Sequence, residues 1–321
     1  MTAKSPLKMD APPSPEPETW APKPPSLWWN LLGGAVSVGL VAAILFQLHS
    51  AAADGMRMIV QLPFAVWPAM VLLYLTQPIC DFAVYRRTWN LPLSGFGVLL
   101  RKNVINEIVL GYSGQAYLYV WARRTSGPDV APFAAIKDAS IISALLGNLL
   151  TLALTAVSVT QLTELGLVKQ LGPALWSGLI PIAISIGLVV FGRWVFSLSP
   201  RLLLFVTSAH TLRIIVSTAL TVMIWRMALP EVEAELWLVL MAVRYLVSRI
   251  PLLANKDLVF GNLMVFLLGP QAPVAVLLAA LALATLLMHL GVIVIQGAVA
   301  LARYLVERMA RGAPSARVPE A

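Results

Sequence analysis

Residues 103–124 read NVINEIVLGYSGQAYLYVWARR and decide how the chain is organised. The stretch is long enough for a helix to cross a bilayer, which takes about 20 residues. Polar residues and glycines nevertheless interrupt it: Asn106, Glu107, Gly111, Gly114 and Gln115. Basic pairs, Arg101–Lys102 and Arg123–Arg124, flank it, so both ends are predicted on one side of the membrane. Polar, broken backbone at membrane depth needs cover from protein or a water-filled cavity. We therefore predict a re-entrant pair of half-helices that lines a site.

The composition of the whole chain indicates a membrane protein. Of its 321 residues 59% are hydrophobic and 12% are charged, and the mean hydropathy is +0.82. A soluble domain carries about 25% charged residues. The ten-residue alternating segments typical of a membrane β-barrel do not occur in the sequence. The predicted fold class is an all-α polytopic membrane protein with about six to eight transmembrane helices and two interrupted or re-entrant hairpins.

The net charge of +8 has two interpretations. In a soluble protein it would suggest nucleic acid. In a membrane protein, basic residues cluster at helix ends that face the cytoplasm and anionic lipid. We predict membrane lipids and no nucleic acid as partners, and a multi-pass protein of the bacterial inner membrane with a cytoplasmic N-terminus. The single cysteine, Cys80, excludes an intramolecular disulfide.

The chain divides into three predicted parts. Residues 1–27 form a proline-rich, disordered cytoplasmic tail, because they carry too few apolar side chains to fold. Residues 28–302 form the helical transmembrane domain, and residues 303–321 form a basic cytoplasmic C-terminal tail. Six full spans are predicted in the domain: residues 28–48, 58–85, 133–159, 175–198, 202–225 and 273–301.

A second interrupted stretch covers residues 236–268. It contains Arg244 and Arg249 and then Asn255-Lys256-Asp257, after which the apolar run is too short to span. Two interrupted segments at matching places in the two halves of a chain predict a binding site near the bilayer midplane, as in transporters with internal repeats. Sequence identity between the halves is not strong, so an internal two-fold repeat is a hypothesis at this stage. Half-helix N-termini are expected to point at bound anionic groups.

Charges inside spans identify the candidate site residues, because each costs a few kcal/mol at the bilayer centre. Arg213 lies about a dozen residues from either end of its span and shares a helix face with His210. A cation pair facing a cavity suits a phosphate or a carboxylate. An internal salt bridge of Arg213 to Glu107 or Asp257 is an equally weighted alternative. The predicted substrate-binding residues are Glu107, Tyr112, Gln115, His210, Arg213, Arg244 and Asp257.

Other intramembrane charges have simpler interpretations. Arg193 and Arg249 are expected to extend to the interface from span ends. Asp81 precedes Arg86 and Arg87 by about one turn and is interpreted as a cap or as part of a local ion pair at the interface. The alternative interpretation is a functional carboxylate. The three histidines show no metal-ligand spacing, and no phosphate-binding loop is present. The sequence predicts no enzyme, no metal and no cofactor.

From about Trp29 to Leu301 the chain resembles the flippase-like membrane domain of the lysylphosphatidylglycerol synthase family, as a stand-alone, divergent member. Residues 103–106 resemble the Asn-rich segment with which the family's first motif begins. Gly111-Tyr112-Ser113-Gly114-Gln115 resembles the Pro/Gly turn that follows it. The Arg that follows the turn resembles Arg123, and the Ala/Ser-rich span resembles Ala134–Asn148. The second family turn, with its acidic residue and apolar run, resembles Pro251–Gly269, where Asp257 stands near the family's Glu.

The departures from the family pattern concern the turns. Gln115 stands in place of a Glu, Tyr112-Ser113 in place of Pro-x-Arg, and Leu-Ala-Asn-Lys in place of glycines in the second turn. His289 stands where an arginine is usual. The resemblance implies the handling of an anionic or glycosylated lipid by a flippase-like transporter. The alternative is a non-catalytic accessory subunit of a complex that synthesises envelope lipid or polysaccharide, with that enzyme as its partner.

Overall fold

The computed structural model describes residues 53–109, 111–125, 132–164, 183, 185, 187, 195–250, 253–269 and 271–312. This part of the chain is helical and contains no strand. The helices, in order, are α1 (Ala53–Gln61), α2 (Val66–Trp89), α3 (Gly95–Ile108), α4 (Ser113–Thr125), α5 (Pro132–Glu164), α6 (Pro200–Ala228), α7 (Ala234–Ser248), α8 (Lys256–Leu268) and α9 (Pro273–Gly312).

Four of these helices are long and apolar enough to cross a membrane: Val66–Trp89, Pro132–Gln161, Pro200–Ala228 and Pro273–Met309. This agrees with the predicted class of helical membrane protein. The predicted tail 1–27, the first span 28–48 and most of the span 175–198 lie outside the described residues. Helix α9 runs past the predicted domain end at residue 302 and continues to Gly312.

Local chemistry explains where several helices begin and end. Pro63 lies in the break between α1 and α2, so the predicted span 58–85 becomes a short helix followed by a full one. Helix α6 has a proline at its first position, where no N–H is needed. Helix α2 ends at Asn90, which adopts the left-handed conformation that Asn tolerates. Helix α8 follows Asn255, whose side chain accepts a hydrogen bond from the Leu258 amide.

Helices α2 and α6 run side by side in opposite directions at the centre of the structure. Cys80 of α2 contacts His210 of α6, and Gln77, one turn earlier, contacts Arg213, one turn later. Helix α5 packs on α6 and α7, and α9 packs on α1, α3 and α8. Gly261 of α8 lies directly against the α9 backbone, which is the close approach that small residues permit in membrane bundles.

Two pairs of short helices, α3–α4 and α7–α8, lie between the long ones. Their members have 13 to 15 residues, about 20–22 Å of helix, and are shorter than the hydrocarbon core. Helix α3 begins at Gly95 and continues through Lys102, whose ammonium group is buried beside Asp81. Each break carries a residue with positive φ, Tyr112 (φ 72°) or Asn255 (φ 46°).

Candidate functional site

A cavity of about 380 Å³ lies where the two helix breaks face the long helices. Its volume is in the range of small-molecule binding sites, roughly 300–1,000 Å³. Residues of α2 to α9 line it, so it is formed by both halves of the chain. All seven predicted binding residues contribute to its wall: Glu107, Tyr112, Gln115, His210, Arg213, Arg244 and Asp257. Their role in binding stays a prediction.

The two breaks meet at this cavity. The Asn255 amide donates to the Glu107 carbonyl oxygen over 2.5 Å, and the Glu107 carboxylate accepts a hydrogen bond from the Lys256 amide. Gly111, in the first break, lies against the Leu253 carbonyl of the second. The acidic group at the N-terminus of α8 is therefore the Glu107 side chain of the protein itself. The sequence analysis expected a bound anionic ligand at that position.

Basic residues outnumber acidic ones on the cavity wall. The bases are Lys102, Arg213, Arg244, Arg249 and Lys256, and the acids are Asp81, Glu107 and Asp257. With neutral histidines the wall carries a formal charge of +2, five positive charges against three negative. Because a low-dielectric bundle screens charge poorly, this surplus favours an anionic occupant.

Two ion pairs account for part of this charge. Lys102 binds Asp81, and both side chains are almost fully buried, at 4% and 2% exposed. Gln77 donates a second hydrogen bond to Asp81 over 2.8 Å. Arg244 Nη2 binds Asp257 Oδ1 over 2.7 Å, with side chains that are 28% and 35% exposed. The interpretation of Asp81 as a partner of Arg86 or Arg87 is wrong, because its partner lies on α3.

Arg213 has neutral partners among the described residues. It donates to Gln77 Oε1 and, over 3.2 Å, to Ser143 Oγ, while its Nε is buried without a hydrogen-bond partner. The structure does not form the alternative salt bridge of Arg213 to Glu107 or Asp257; Asp257 binds Arg244 instead.

Arg249 is the second guanidinium of the cavity wall whose hydrogen-bond partners are neutral. Its Nη1 donates to Asn148 Oδ1 over 3.1 Å and its Nη2 to Ser248 Oγ over 3.0 Å. It lies over Gly147, where a Cβ would come within 2.7 Å of Nη1. The expectation that Arg249 extends to the interface is therefore wrong, because α7 ends inside the bundle. The same expectation for Arg193 lies outside the described residues.

Two histidines, His210 and His289, contribute to the cavity wall. His210 is 1% exposed, with Nδ1 3.6 Å from Cys80 Sγ and Nε2 lacking a hydrogen-bond partner. His289 Nδ1 and the Tyr74 hydroxyl are 2.8 Å apart. Tyr112, at the first break, is 57% exposed and also lines the cavity.

Sequence reasoning missed several residues of this wall. Lys102 was read only as a flanking charge, although its i, i+4 relation to Asn106 places it on the polar face of α3. The sequence shows Asp81, Arg249 and Lys256 as charges within or beside the spans, but it does not predict them as binding residues, because the groups they meet at the cavity are mostly remote in sequence. Within the residues that the structure describes, no group of His, Cys, Asp and Glu is arranged to hold a metal ion.

Comparisons of this chain with protein-family models, with curated proteins and with solved structures find no match.

Proposed function

We propose that this protein is a flippase-like transporter that accommodates the anionic polar group of a lipid in the central cavity while its apolar part stays in the bilayer. The observation that carries the proposal is the surplus of positive charge on the cavity wall, above all the two guanidinium groups with neutral partners, Arg213 and Arg249. Burying such groups at membrane depth costs several kcal/mol, so a binding role explains why they are there. Guanidinium groups bind phosphate and carboxylate through paired hydrogen bonds.

We further propose a topology of six full spans with two re-entrant pairs, α3–α4 and α7–α8, in the bacterial inner membrane with a cytoplasmic N-terminus. Each helix of a pair is too short to cross the membrane alone, and both breaks adjoin the cavity. That position supplies the cover that interrupted backbone needs at membrane depth. Basic residues near the ends of α2, α4 and α9 support a cytoplasmic location for those ends.

The lipid class follows from the resemblance to the flippase-like domain of lysylphosphatidylglycerol synthases. The first motif, 111–115, lies at the break between α3 and α4, and the described part of the second, 253–269, covers the break before α8 and that helix. We propose a divergent member of this family whose substrate is an anionic or glycosylated lipid. The excess positive charge of the wall favours an anionic headgroup.

Reconstitution of the purified protein tests the proposal. Vesicles carry fluorescent phosphatidylglycerol or, in parallel, fluorescent phosphatidylcholine, and an impermeant quencher reports how much probe reaches the outer leaflet. We expect faster exchange of phosphatidylglycerol than of phosphatidylcholine. Arg213→Leu should abolish that difference, whereas Arg226→Leu, an exposed arginine on the same helix, should retain it.

Arg213→Lys keeps the charge and loses the planar fork, so it should retain part of the activity. If the wild-type protein exchanges neither probe, and native mass spectrometry finds no anionic lipid bound, the transporter proposal fails. Co-purification with an envelope-synthesis enzyme in that case would favour the accessory-subunit alternative.

A further inference from the structure

The helices on either side of residues 165–199 follow the same order of lengths. Helices α2 to α5 have 24, 14, 13 and 33 residues, and helices α6 to α9 have 29, 15, 13 and 40. In each half a long helix precedes two short ones, a break with a positive-φ residue separates the short ones, and a long helix that begins with proline follows.

The cavity-lining positions of α2 and α6 share one register. For four of the six α2 residues that line the cavity, Met70, Leu73, Tyr74 and Gln77, adding 140 to each number gives His210, Arg213, Ile214 and Ser217. These are all of the α6 residues on the cavity wall. The other two α2 residues, Asp81 and Tyr85, correspond to Thr221 and Trp225, which line a smaller neighbouring cavity instead. The two helices therefore present equivalent faces to the cavity, although the side chains differ.

The same correspondence continues into the short helices. Lys102, Asn103, Asn106 and Glu107 line the cavity from α3, and adding 142 gives Arg244, Tyr245, Ser248 and Arg249. Gln115 of α4 likewise corresponds to Asp257 of α8, again 142 positions later. An almost unchanged offset across the intervening turns means that the connections in the two halves have nearly equal lengths.

The last long helices complete the pattern. Ser143 and Gly147 of α5 correspond, 142 positions later, to Thr285 and His289 of α9, and all four residues line the cavity. Two of the packing contacts between helices follow the same exchange. Helix α7 packs on α5 as α3 packs on α9, and α8 packs on α9 as α4 packs on α5.

The contacts between α2 and α6 give the relative orientation of the halves. Cys80 meets His210 and Gln77 meets Arg213, so residue numbers rise along one helix as they fall along the other. Because α2 and α6 are equivalent by register and antiparallel in space, the second half is inverted relative to the first. The rotation axis that relates them lies in the membrane plane and passes through the cavity.

We infer that helices α2–α5 and α6–α9 are inverted-topology repeats and that the protein works by alternating access, in which the two halves exchange their conformations around the shared cavity. What is transported rests on the proposed function. The repeat itself rests on register, element order and helix direction. In transporters of this construction the two access states are related by such an exchange.

The halves differ in conformation, because α3 packs more extensively on α2 than its equivalent α7 packs on α6. Lys102 of α3 binds Asp81 of α2, which joins the first short pair to its preceding long helix. Arg244, the equivalent of Lys102, binds Asp257 of α8, because the position of Asp81 is occupied in the second half by the uncharged Thr221. The contact of the second pair with its long helix is the hydrogen bond between Tyr245 of α7 and Thr218 of α6.

A second cavity provides the space for the opposite arrangement. It has a volume of about 50 Å³, has Thr221 and Arg244 on its wall, and is otherwise bounded mostly by apolar residues such as Ile224, Trp225 and Phe260. In the exchanged state, Arg244 would approach Thr221 and fill this space, while Lys102 would leave Asp81. Closely packed bundles have few such spaces, so a void at this position fits a moving contact.

Cross-linking in a Cys80→Ala background tests the exchange. The pair Asp81→Cys/Lys102→Cys should trap the arrangement described here, and the pair Thr221→Cys/Arg244→Cys should trap the exchanged one. A reporter cysteine at Ser217 is then labelled with an impermeant maleimide from each side of reconstituted vesicles. We expect the two cross-linked proteins to label predominantly from opposite sides.

A cross-link between native Cys80 and His210→Cys provides the control, because it joins the two central helices without fixing either short pair. It should leave the labelling of Ser217→Cys as in the protein without a cross-link. Labelling from the same side in both trapped proteins overturns the inference. Failure of the Thr221/Arg244 pair to cross-link while the Asp81/Lys102 pair does so also overturns it. Opposite-side labelling without lipid exchange would overturn the proposed function alone.

Discussion

The two short helix pairs, α3–α4 and α7–α8, have the same architecture and differ in how their charge is neutralised. Lys102 on α3 binds a carboxylate of α2, outside its own pair, and both groups are buried. Arg244 on α7 binds a carboxylate of α8, within its own pair, and both groups are about one third exposed. The first pair is therefore held to α2 by a buried charge contact, whereas the second is held to the long helices by packing on α5 and α9 and by hydrogen bonds between α7 and its neighbours.

This difference bears on which pair can move at low cost. Separating Lys102 from Asp81 exposes two charges to an apolar environment unless another partner is present. Separating the second pair from α6 leaves its own ion pair intact, because both partners travel together. We expect separation from the preceding long helix to cost less for the second pair, because the contact broken there is a hydrogen bond between the uncharged Thr218 and Tyr245 hydroxyls.

Removing the carboxylate from each pair should give the largest contrast. Asp81→Ala leaves the buried Lys102 ammonium group uncompensated and should lower the free energy of unfolding by about 3–5 kcal/mol. Asp257→Ala leaves a partly exposed arginine and should cost about 1 kcal/mol or less. Thermal unfolding in detergent compares the two variants.

The double variant Asp81→Ala/Lys102→Met is the matched control for that prediction. It removes both charges, so it should recover most of the stability that Asp81→Ala loses. Equal losses for Asp81→Ala and Asp257→Ala would show that burial does not distinguish the two ion pairs.

Alanine at Gly114 and alanine at Gly147 should have different effects, because the first meets backbone and the second meets a side chain. A Cβ at Gly114 would lie 2.2 Å from the Lys102 carbonyl oxygen, so α3 and α4 must move apart, at a cost of about 1–3 kcal/mol. A Cβ at Gly147 would meet the end of the flexible Arg249 side chain, which can move aside at lower cost.

Gly147→Ala should therefore stay close to wild type in melting temperature but lose the hydrogen bond of Arg249 to Asn148. Native mass spectrometry should find less co-purified phosphatidylglycerol on Gly147→Ala than on wild type. Undiminished lipid on a stable Gly147→Ala protein would remove Arg249 from the proposed site.

The residues at the two breaks should give the smallest contrast. Tyr112 has positive φ without the local hydrogen bonding that favours Asn there, so Tyr112→Gly should change stability by no more than about 1 kcal/mol, towards greater stability. Asn255 has positive φ and caps α8, so Asn255→Ala should cost about 1–2 kcal/mol. Melting temperatures of the two variants should shift in opposite directions, and a shift in the same direction would contradict the assigned roles.

Hydropathy and local interruptions were enough to predict much of the fold. Helical membrane class follows from apolar runs of span length, and both breaks follow from polar residues and glycines or prolines inside such runs. Six of the seven candidate residues were found because an ionisable group or an amide at membrane depth is costly wherever the chain places it, and Tyr112 was included because it lies in the first interrupted segment. Each apolar run and the polar residues that interrupt it lie within about 20 residues, so they can be recognised in the sequence before the fold is known.

Only the tertiary structure decided which of those residues meet. Arg213 contacts Gln77, 136 positions away, and Arg249 contacts Asn148, 101 positions away. The equal register of the two halves was also hard to recognise in the sequence, because the equivalent cavity-lining positions carry different side chains, such as Glu107 and Arg249. Helix packing depends on the shape and direction of whole faces, which many sequences satisfy. The chemistry of individual groups in the cavity depends on partners that only the folded chain brings within hydrogen-bond distance.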